Sequence, residues 1–124
     1  MILVTGAAGK TGRAVIRALA ARGAAVRALV HRSGQVSKVE ALGAETIVGD
    51  MRDGVAMDRA ARGAHAVYHI CPNVSPDEVT IGQTAITAAR RAGVEHFVFH
   101  SVLHPQVEAM PHHWLKMRVE ELLF

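Results

Sequence analysis

A fourfold repeat of helix, glycine and strand constrains the fold of this chain more than any other feature. The four joints read ARGAAVRALV, ALGAETIVGD, ARGAHAVYHI and RAGVEHFVFH. Each has a glycine where a helix ends, which predicts left-handed helix caps at Gly23, Gly43, Gly63 and Gly93. The apolar run after each glycine is nearly continuous rather than alternating, which is typical of parallel strands covered on both faces.

Alternating strands and helices with short joints predict the α/β fold class, with a doubly wound parallel sheet in a Rossmann-like three-layer sandwich. The expected strands lie near residues 2–5, 25–30, 45–49, 65–71 and 95–100. The expected helices lie near 10–22, 36–42, 54–62, 76–92 and from about 112 to the end. No linker interrupts this pattern, so we assign residues 1–124 to one domain.

The last predicted helix departs from the repeat. Leu115, Val119 and Leu122 form an apolar stripe that we expect to pack on the sheet, but no glycine stop or strand follows it. We therefore expect a longer natural protein whose C-terminal region is missing here; the alternative is a terminal helix that docks and ends. A sheet left with an uncovered edge would favour a homodimer or aggregate over a monomer.

The segment VTGAAGKTGRAV joins the first predicted strand to the first predicted helix. Its spacing, G-x-x-G-x-x-G in this context, is typical of a dinucleotide-binding loop. One glycine makes the turn, one lets backbone approach the pyrophosphate, and one packs the helix on the sheet. The alternative is an ordinary turn with packing glycines. The predicted binding residues are Gly6, Ala8, Gly9, Lys10, Thr11 and Gly12.

Arg32 stands twenty residues after Gly12, at the end of the second predicted strand. A carboxylate at this position would bind the ribose 2′-hydroxyl of NAD, whereas a basic side chain accommodates the 2′-phosphate of NADP. The segment LVHRSGQ contains no acid, and Lys10 can add a second positive charge. We therefore expect NADP as the cofactor, with NAD as the alternative. A solvated surface arginine is the other interpretation of Arg32.

Two further segments follow predicted strands and are expected to face the same ligand. In VGDMRD, Asp50 and Met51 are placed to flank an adenine, although Asp50 could equally be a cap or turn residue. In ICPN, Cys71 and Pro72 are expected to line the cofactor crevice. Cys71 has no basic neighbour in sequence, so we interpret it as a packing residue and not as a nucleophile.

Charge and composition narrow the classes of partner. The first 39 residues carry seven basic residues and no acid, which suits a small anionic ligand. Few aromatic residues are available for stacking and no recognition motif appears, so we expect no nucleic acid partner. The single cysteine forms no internal disulfide, and no long apolar stretch or leader is visible. We expect a cytoplasmic protein with no membrane association.

Histidine pairs at i, i+4 spacing do not predict a metal site. His65 and His69 form one pair, and His96 and His100 form the other. Both pairs lie on predicted strands or their approaches, where this spacing does not create the compact chelate that it creates on a helix. No carboxylate or cysteine completes a ligand set, so we expect no metal.

Read in order, TGAAGKTGRAV, VHR, VGDMRD and FVFHS resemble the NmrA-like branch of the atypical short-chain dehydrogenase/reductase family. The resemblance covers essentially the whole chain. It implies a Rossmann domain that binds NAD(P), in a longer protein with further strands and a smaller C-terminal substrate region. Some proteins of this branch are reductases, including quinone reductases, and others are nucleotide-sensing regulators.

The resemblance also implies catalytic positions. Reductases of the wider superfamily place a serine or threonine after the fifth strand, which Ser101 matches, and a Tyr-x-x-x-Lys motif on the next helix. Lys116 matches the lysine, which implies a role in holding the nicotinamide ribose, but His112 stands in place of the tyrosine. Residues i and i+4 share a helix face, so His112 could donate a proton beside Lys116. The alternative is a helix start at Pro111 with solvated histidines.

These features favour an NADP-preferring oxidoreductase of the quinone or carbonyl reductase class, acting on a small molecule. The second hypothesis is a non-catalytic NAD(P)-sensing regulator that acts through a protein partner. The third is a truncated product with neither role.

Overall fold

Five parallel strands form a single sheet in the computed structural model, which describes residues 1–124. The strands are β1 (Ile2–Val4), β2 (Val26–Val30), β3 (Glu45–Val48), β4 (Ala66–His69) and β5 (His96–Phe99). Their order in the sheet is β3-β2-β1-β4-β5. The chain moves outward from β1 to β3 and then returns past β1 to β4 and β5, so the direction of winding reverses between β1 and β4. The predicted doubly wound fold is confirmed.

Five α-helices connect or follow the strands. They are α1 (Lys10–Ala20), α2 (Val36–Glu40), α3 (Gly54–Ala61), α4 (Glu78–Arg91) and α5 (Pro111–Glu121), and a short 3₁₀ helix at Ser33–Gln35 precedes α2. Every predicted element is present, with ends that differ by a few residues. β4 stops at His69, before its predicted end at residue 71, because the Ile70 N–H donates to the Thr5 hydroxyl and leaves the strand ladder. None of the helices has the length and apolar character needed to cross a bilayer.

The glycine caps predicted from the repeat are confirmed. Gly23, Gly43, Gly63 and Gly93 have φ angles of 74°, 86°, 74° and 70°, which lie in the left-handed region. A Cβ atom at any of the four would meet nothing within 4 Å, so the backbone conformation alone explains why glycine stands there.

The two faces of the sheet are covered by two separate apolar clusters. Leu3, Leu29 and Val67 pack with Met57 of α3 and small alanines of α4 on one face. The other face packs under α1 and α2, through a cluster whose largest members are Val4, Ile16, Val26, Val30 and Val39. Small alanines let the helices lie close to the sheet, and the result is the predicted three-layer sandwich.

The last helix packs mainly on another helix, α4. Val119 is fully buried against α4, and a Cβ atom at Gly82 would lie 2.7 Å from Val119 Cγ1. Leu115 and Leu122, the other members of the predicted stripe, are only half-buried. The expectation that this stripe packs on the sheet is therefore wrong: the glycine in α4 creates a notch that accepts Val119 from α5.

Candidate functional site

A crevice of about 760 Å³ opens where the winding of the sheet reverses, above the carboxyl ends of the strands. Most of the predicted site residues line it: Gly6, Ala8, Gly9, Lys10, Thr11, Gly12, Asp50, Met51, Cys71, Pro72, Ser101 and Lys116. Arg32 and His112 do not. The topology thus brings together segments from the ends of four strands and one face of the last helix.

The three glycines of the loop are required for different reasons. Gly6 has a φ of +60°, and a Cβ there would lie 2.7 Å from the carbonyl oxygen of Ile70. A Cβ at Gly12 would lie 2.3 Å from the carbonyl oxygen of Gly6. A Cβ at Gly9 would meet only the Gly6 oxygen, at 3.3 Å. The fold itself therefore requires Gly6 and Gly12, whereas at Gly9 the open space belongs to the crevice.

The amino end of α1 presents free donors to the crevice. Gly9 is the N-cap, no side chain caps the helix, and its first turn contains no acidic residue. The backbone N–H groups of Lys10, Thr11 and Gly12 donate to no backbone carbonyl. Together with the positive end of the dipole of an 11-residue helix, these groups form a site suited to an anion such as a phosphate.

One end of the crevice lies at β2 and β3. Here Asp50 accepts from the Arg52 backbone N–H at 2.8 Å and from the Arg52 guanidinium, whose Nη2 lies 2.8 Å from Oδ2. These hydrogen bonds hold the pKa of Asp50 at about 2. Asp50 therefore acts as a turn residue, which is one of the two roles that the sequence allowed, and it also lines the crevice.

Arg52 is a cation of the site that the sequence did not reveal. Its side chain is 56% exposed, lines the crevice and approaches Asp77 to 3.8 Å. Arg32, predicted from its spacing, is exposed and lies beside the crevice wall formed by His31 and Gln35. Its backbone N–H donates to the Gln35 side chain at 3.0 Å, which fixes the turn that follows β2.

The other end of the crevice lies at β4, β5 and α5, where Lys116 is nearly buried. Its ammonium group donates to Glu78 at 2.8 Å and lies 5.2 Å from the centre of the Phe99 ring. Glu78 itself is 2% exposed. Sequence reasoning missed Glu78, although one signal was available: this acid occupies the apolar stripe of α4, three residues before the buried Ile81.

Cys71 is buried beside this ion pair. Burial raises the pKa of its thiol, and the neighbouring Glu78 carboxylate adds to the effect. A protonated thiol in these surroundings is a poor nucleophile, in agreement with the packing role expected from the sequence.

The three predicted catalytic residues do not form one cluster. The Ser101 hydroxyl donates to the Glu120 carboxylate, and Lys116 is engaged with Glu78. The His112 ring packs edge-on against His113, with 4.4 Å between ring centres, outside the residues that line the crevice. Lys116 thus lines the crevice and His112 does not, and the meeting of His112 and Lys116 over one ligand stays a prediction.

A second buried polar pair lies under the site. Thr5 Oγ1 and His69 Nδ1 are 2.8 Å apart, and both residues are fully buried. The centre of the His69 ring lies 6.0 Å from that of Phe97 and 5.9 Å from that of Phe99. Burial, aided by the charge of Lys116, lowers the pKa of His69 to about 4, so the ring is neutral. No group of three or more potential ligands is arranged to hold a metal ion.

Residues 1–123 match the NmrA-like family. The chain belongs to the NmrA-like family. This match extends over both ends of the crevice, from the glycine loop to Lys116.

Two proteins that are similar in sequence are longer than this chain. An NAD(P)H azoreductase from Xenophilus azovorans is 38% identical over 98 residues, which are 79% of this chain and 34% of the azoreductase. The nitrogen metabolite repression protein nmrA of Emericella nidulans is 33% identical over 82% of this chain and 30% of its own length. The chain thus spans about a third of these two relatives.

Among solved structures, an NADPH-dependent quinone oxidoreductase from Escherichia coli, crystallised with NADPH, superposes with a TM-score of 0.89. It is 25% identical, and the match covers 99% of this chain and 44% of the oxidoreductase chain. The fold of the NmrA-like chain therefore corresponds to less than half of that oxidoreductase chain.

Proposed function

We propose that this chain binds NAD(P)H in the crevice, with the pyrophosphate on the glycine loop. The observation that carries the proposal is the loop itself. Three free N–H groups at the start of α1 line the crevice beside Gly9, where any side chain would extend into the crevice. A dinucleotide pyrophosphate suits this donor set, since it brings negative charge to unpaired N–H groups at a positive helix end.

The topology orients the cofactor along the crevice. In a fold of this kind the ribose of the adenosine lies at the end of the second strand, so the adenosine half points toward β2 and β3. Asp50 and Met51 would then flank the adenine. The nicotinamide half points toward β4, β5 and α5, where Ser101 and Lys116 line the crevice.

NADP is the proposed cofactor, and NAD is the alternative. Arg32, Arg52 and Lys10 place three cations on or beside the adenosine end. Asp50 follows β3 and lines this end of the crevice, and its negative charge is paired with Arg52. A 2′-phosphate therefore meets positive charge here, without an unpaired carboxylate to repel it.

The proposed activity is oxidoreduction of a small molecule of the quinone or carbonyl class. Bound NAD(P)H would supply the hydride. Lys116, fixed by Glu78, would donate a hydrogen bond to the nicotinamide ribose, and Ser101 would contact the substrate oxygen. The NAD(P)H azoreductase and the quinone oxidoreductase among the similar proteins support this class. We propose the cytoplasm as its location. We also propose a separate substrate-binding region, because the azoreductase is about three times as long as the segment that matches this chain.

The second candidate function is a non-catalytic NAD(P) sensor that acts on a protein partner. Two observations favour it: the similarity to a nitrogen metabolite repression protein and the position of His112 outside the crevice. A turnover screen of quinones, aldehydes and enones with NADPH separates the two functions. Turnover supports the reductase, whereas partner capture that follows the NADP/NADPH ratio, without turnover, supports the sensor.

A further inference from the structure

His100 is a crevice histidine that the predicted catalytic set did not include. It is the first residue after β5, directly before Ser101, and its side chain lines the nicotinamide end of the crevice. Its Nδ1 atom lies 3.0 Å from the hydroxyl oxygen of Tyr68, on the neighbouring strand β4. The two rings are half-buried and their centres are 6.0 Å apart.

The other proton-bearing groups at this end are already engaged. Lys116 donates to Glu78, Ser101 donates to Glu120, and the Cys71 thiol is buried. His112 does not reach the crevice lining. His100 therefore remains as the side chain at this end of the crevice with a ring nitrogen free to contact a ligand.

The Tyr68 hydroxyl is suited to both protonation states of the His100 ring. Its oxygen accepts from Nδ1–H in the cation, and it accepts from the same Nδ1–H in the neutral ring that remains after Nε2 has lost its proton. The proton that can be released is therefore the one on Nε2, and no group of the chain bonds to Nε2. Tyr68 lies on β4 and packs against the apolar cluster under α1 and α2, so its hydroxyl is held in place and fixes the plane of the imidazole.

We infer that His100 is the proton donor of this site and that Tyr68 is its positioning residue. The inference rests on the proposed function. In reduction of a carbonyl or quinone, the substrate carbon or ring gains two electrons as the hydride from NAD(P)H. The substrate oxygen gains the proton from Nε2 of the His100 imidazolium, and one N–H bond breaks as one O–H bond forms. The neutral ring keeps its Nδ1–H, which still donates to the Tyr68 hydroxyl oxygen, and Nε2 regains a proton from water.

The test combines NADPH binding, ring-nitrogen NMR and quinone reduction. The variants are His100→Gln, Tyr68→Phe and, as the matched control, His96→Gln, which changes an exposed histidine on the same strand. We expect NADPH to shift the ¹⁵N resonance of His100 but not that of His96. We expect His100→Gln to lower kcat for 1,4-benzoquinone about 100-fold or more, with an unchanged Kd for NADPH. Tyr68→Phe should move the His100 Nδ1 resonance and lower kcat while KM stays constant.

The outcomes separate this inference from the proposed function. A wild-type protein that binds no NADPH, or reduces no quinone, overturns the reductase proposal and the proton-donor role with it. A wild-type protein that reduces quinone while His100→Gln matches His96→Gln overturns the role of His100 alone. Retained kcat in Tyr68→Phe, with an unmoved Nδ1 resonance, overturns the positioning role.

Discussion

Lys116 and Glu78 form an ion pair in which both side chains are almost completely buried, with 2.8 Å between Nζ and Oε1. The pair joins α5 to the first turn of α4 at the nicotinamide end of the crevice. Glu78 satisfies the charge of Lys116 where few water molecules can reach it. Each partner is therefore needed to compensate the buried charge of the other.

Removal of Glu78 should be strongly destabilising. Glu78→Ala leaves the Lys116 ammonium buried without a partner, which costs about 3–5 kcal/mol of unfolding free energy. Glu45→Ala is the control, because it breaks the ion pair with Arg27, in which the Glu45 side chain is 54% exposed. Exposed pairs of this kind contribute about 1 kcal/mol or less to the free energy of unfolding. Urea denaturation measures both. Equal losses in the two variants would show that the buried pair is not a special element of stability.

His69 should make stability depend on pH. The fold lowers its pKa to about 4, below the 6.5 of an unperturbed histidine, so the unfolded chain takes up the proton first as the pH falls. The stabilisation is fully present above pH 6.5 and is lost as the pH falls toward 4, with a total on the order of 3 kcal/mol. Unfolding free energies at pH 7 and pH 4.5, in wild type and His69→Gln, measure it. A variant with the same pH dependence as the wild type would rule out His69 as the source.

Cofactor preference should depend on the cations at the adenosine end. We expect Arg32→Ala to lower the NADP/NAD affinity ratio roughly tenfold or more, because a charge-assisted contact to the 2′-phosphate is lost. Arg52→Ala is the informative comparison, since Arg52 lines the crevice and is paired with Asp50. Calorimetric titration of both cofactors gives the ratios. If only Arg52→Ala changes the ratio, the phosphate partner predicted from sequence spacing is the wrong arginine.

The β5 edge should promote self-association. β5 has a neighbour on one side only, and Val98 on this strand is 48% exposed. Unpaired strand edges associate with one another, and a lysine on the edge opposes this. Val98→Lys should therefore shift the protein toward monomer in sedimentation equilibrium. Val55→Lys, at a 76% exposed position on α3, should have no effect. A wild-type protein that stays monomeric at high concentration would contradict the prediction.

The fold could be predicted because its signals are local. Each glycine cap lies next to the helix that it ends, and each buried strand is a short apolar run that follows. The packing of α5 was predicted incorrectly because it depends on Gly82 in a different helix, and no local pattern links Gly82 to Val119. Sequence periodicity identifies the face of a helix that is buried, but it does not identify what covers that face.

The glycine loop could be predicted for the same reason, since a strand, a loop and a helix follow one another in sequence. The side-chain pairs of the site could not. Glu78 and Lys116 are 38 residues apart, and Tyr68 and His100 are 32 residues apart. The packing of α5 on α4 makes the first pair neighbours, and the pairing of β4 with β5 makes the second pair neighbours. For the turn after β3, the sequence predicted contacts from Asp50 and Met51, and no sequence pattern showed that Arg52 pairs with Asp50 and lines the crevice.

The central claim is that the glycine loop binds the pyrophosphate of NADPH. Gly9 has φ −71° and ψ 171°, which any residue adopts, so Gly9→Val should fold while its side chain occupies the pyrophosphate position. Gly54→Val is the control, because a Cβ at Gly54 meets nothing within 4 Å and Gly54 lies outside the crevice lining.

The measurement is calorimetric titration of NADPH into wild type, Gly9→Val and Gly54→Val, after circular dichroism has shown that all three are folded. We expect the wild type and Gly54→Val to bind with the same Kd and Gly9→Val to show no binding. A folded Gly9→Val protein that binds NADPH with the wild-type Kd, or a wild-type protein that binds none, would contradict the account.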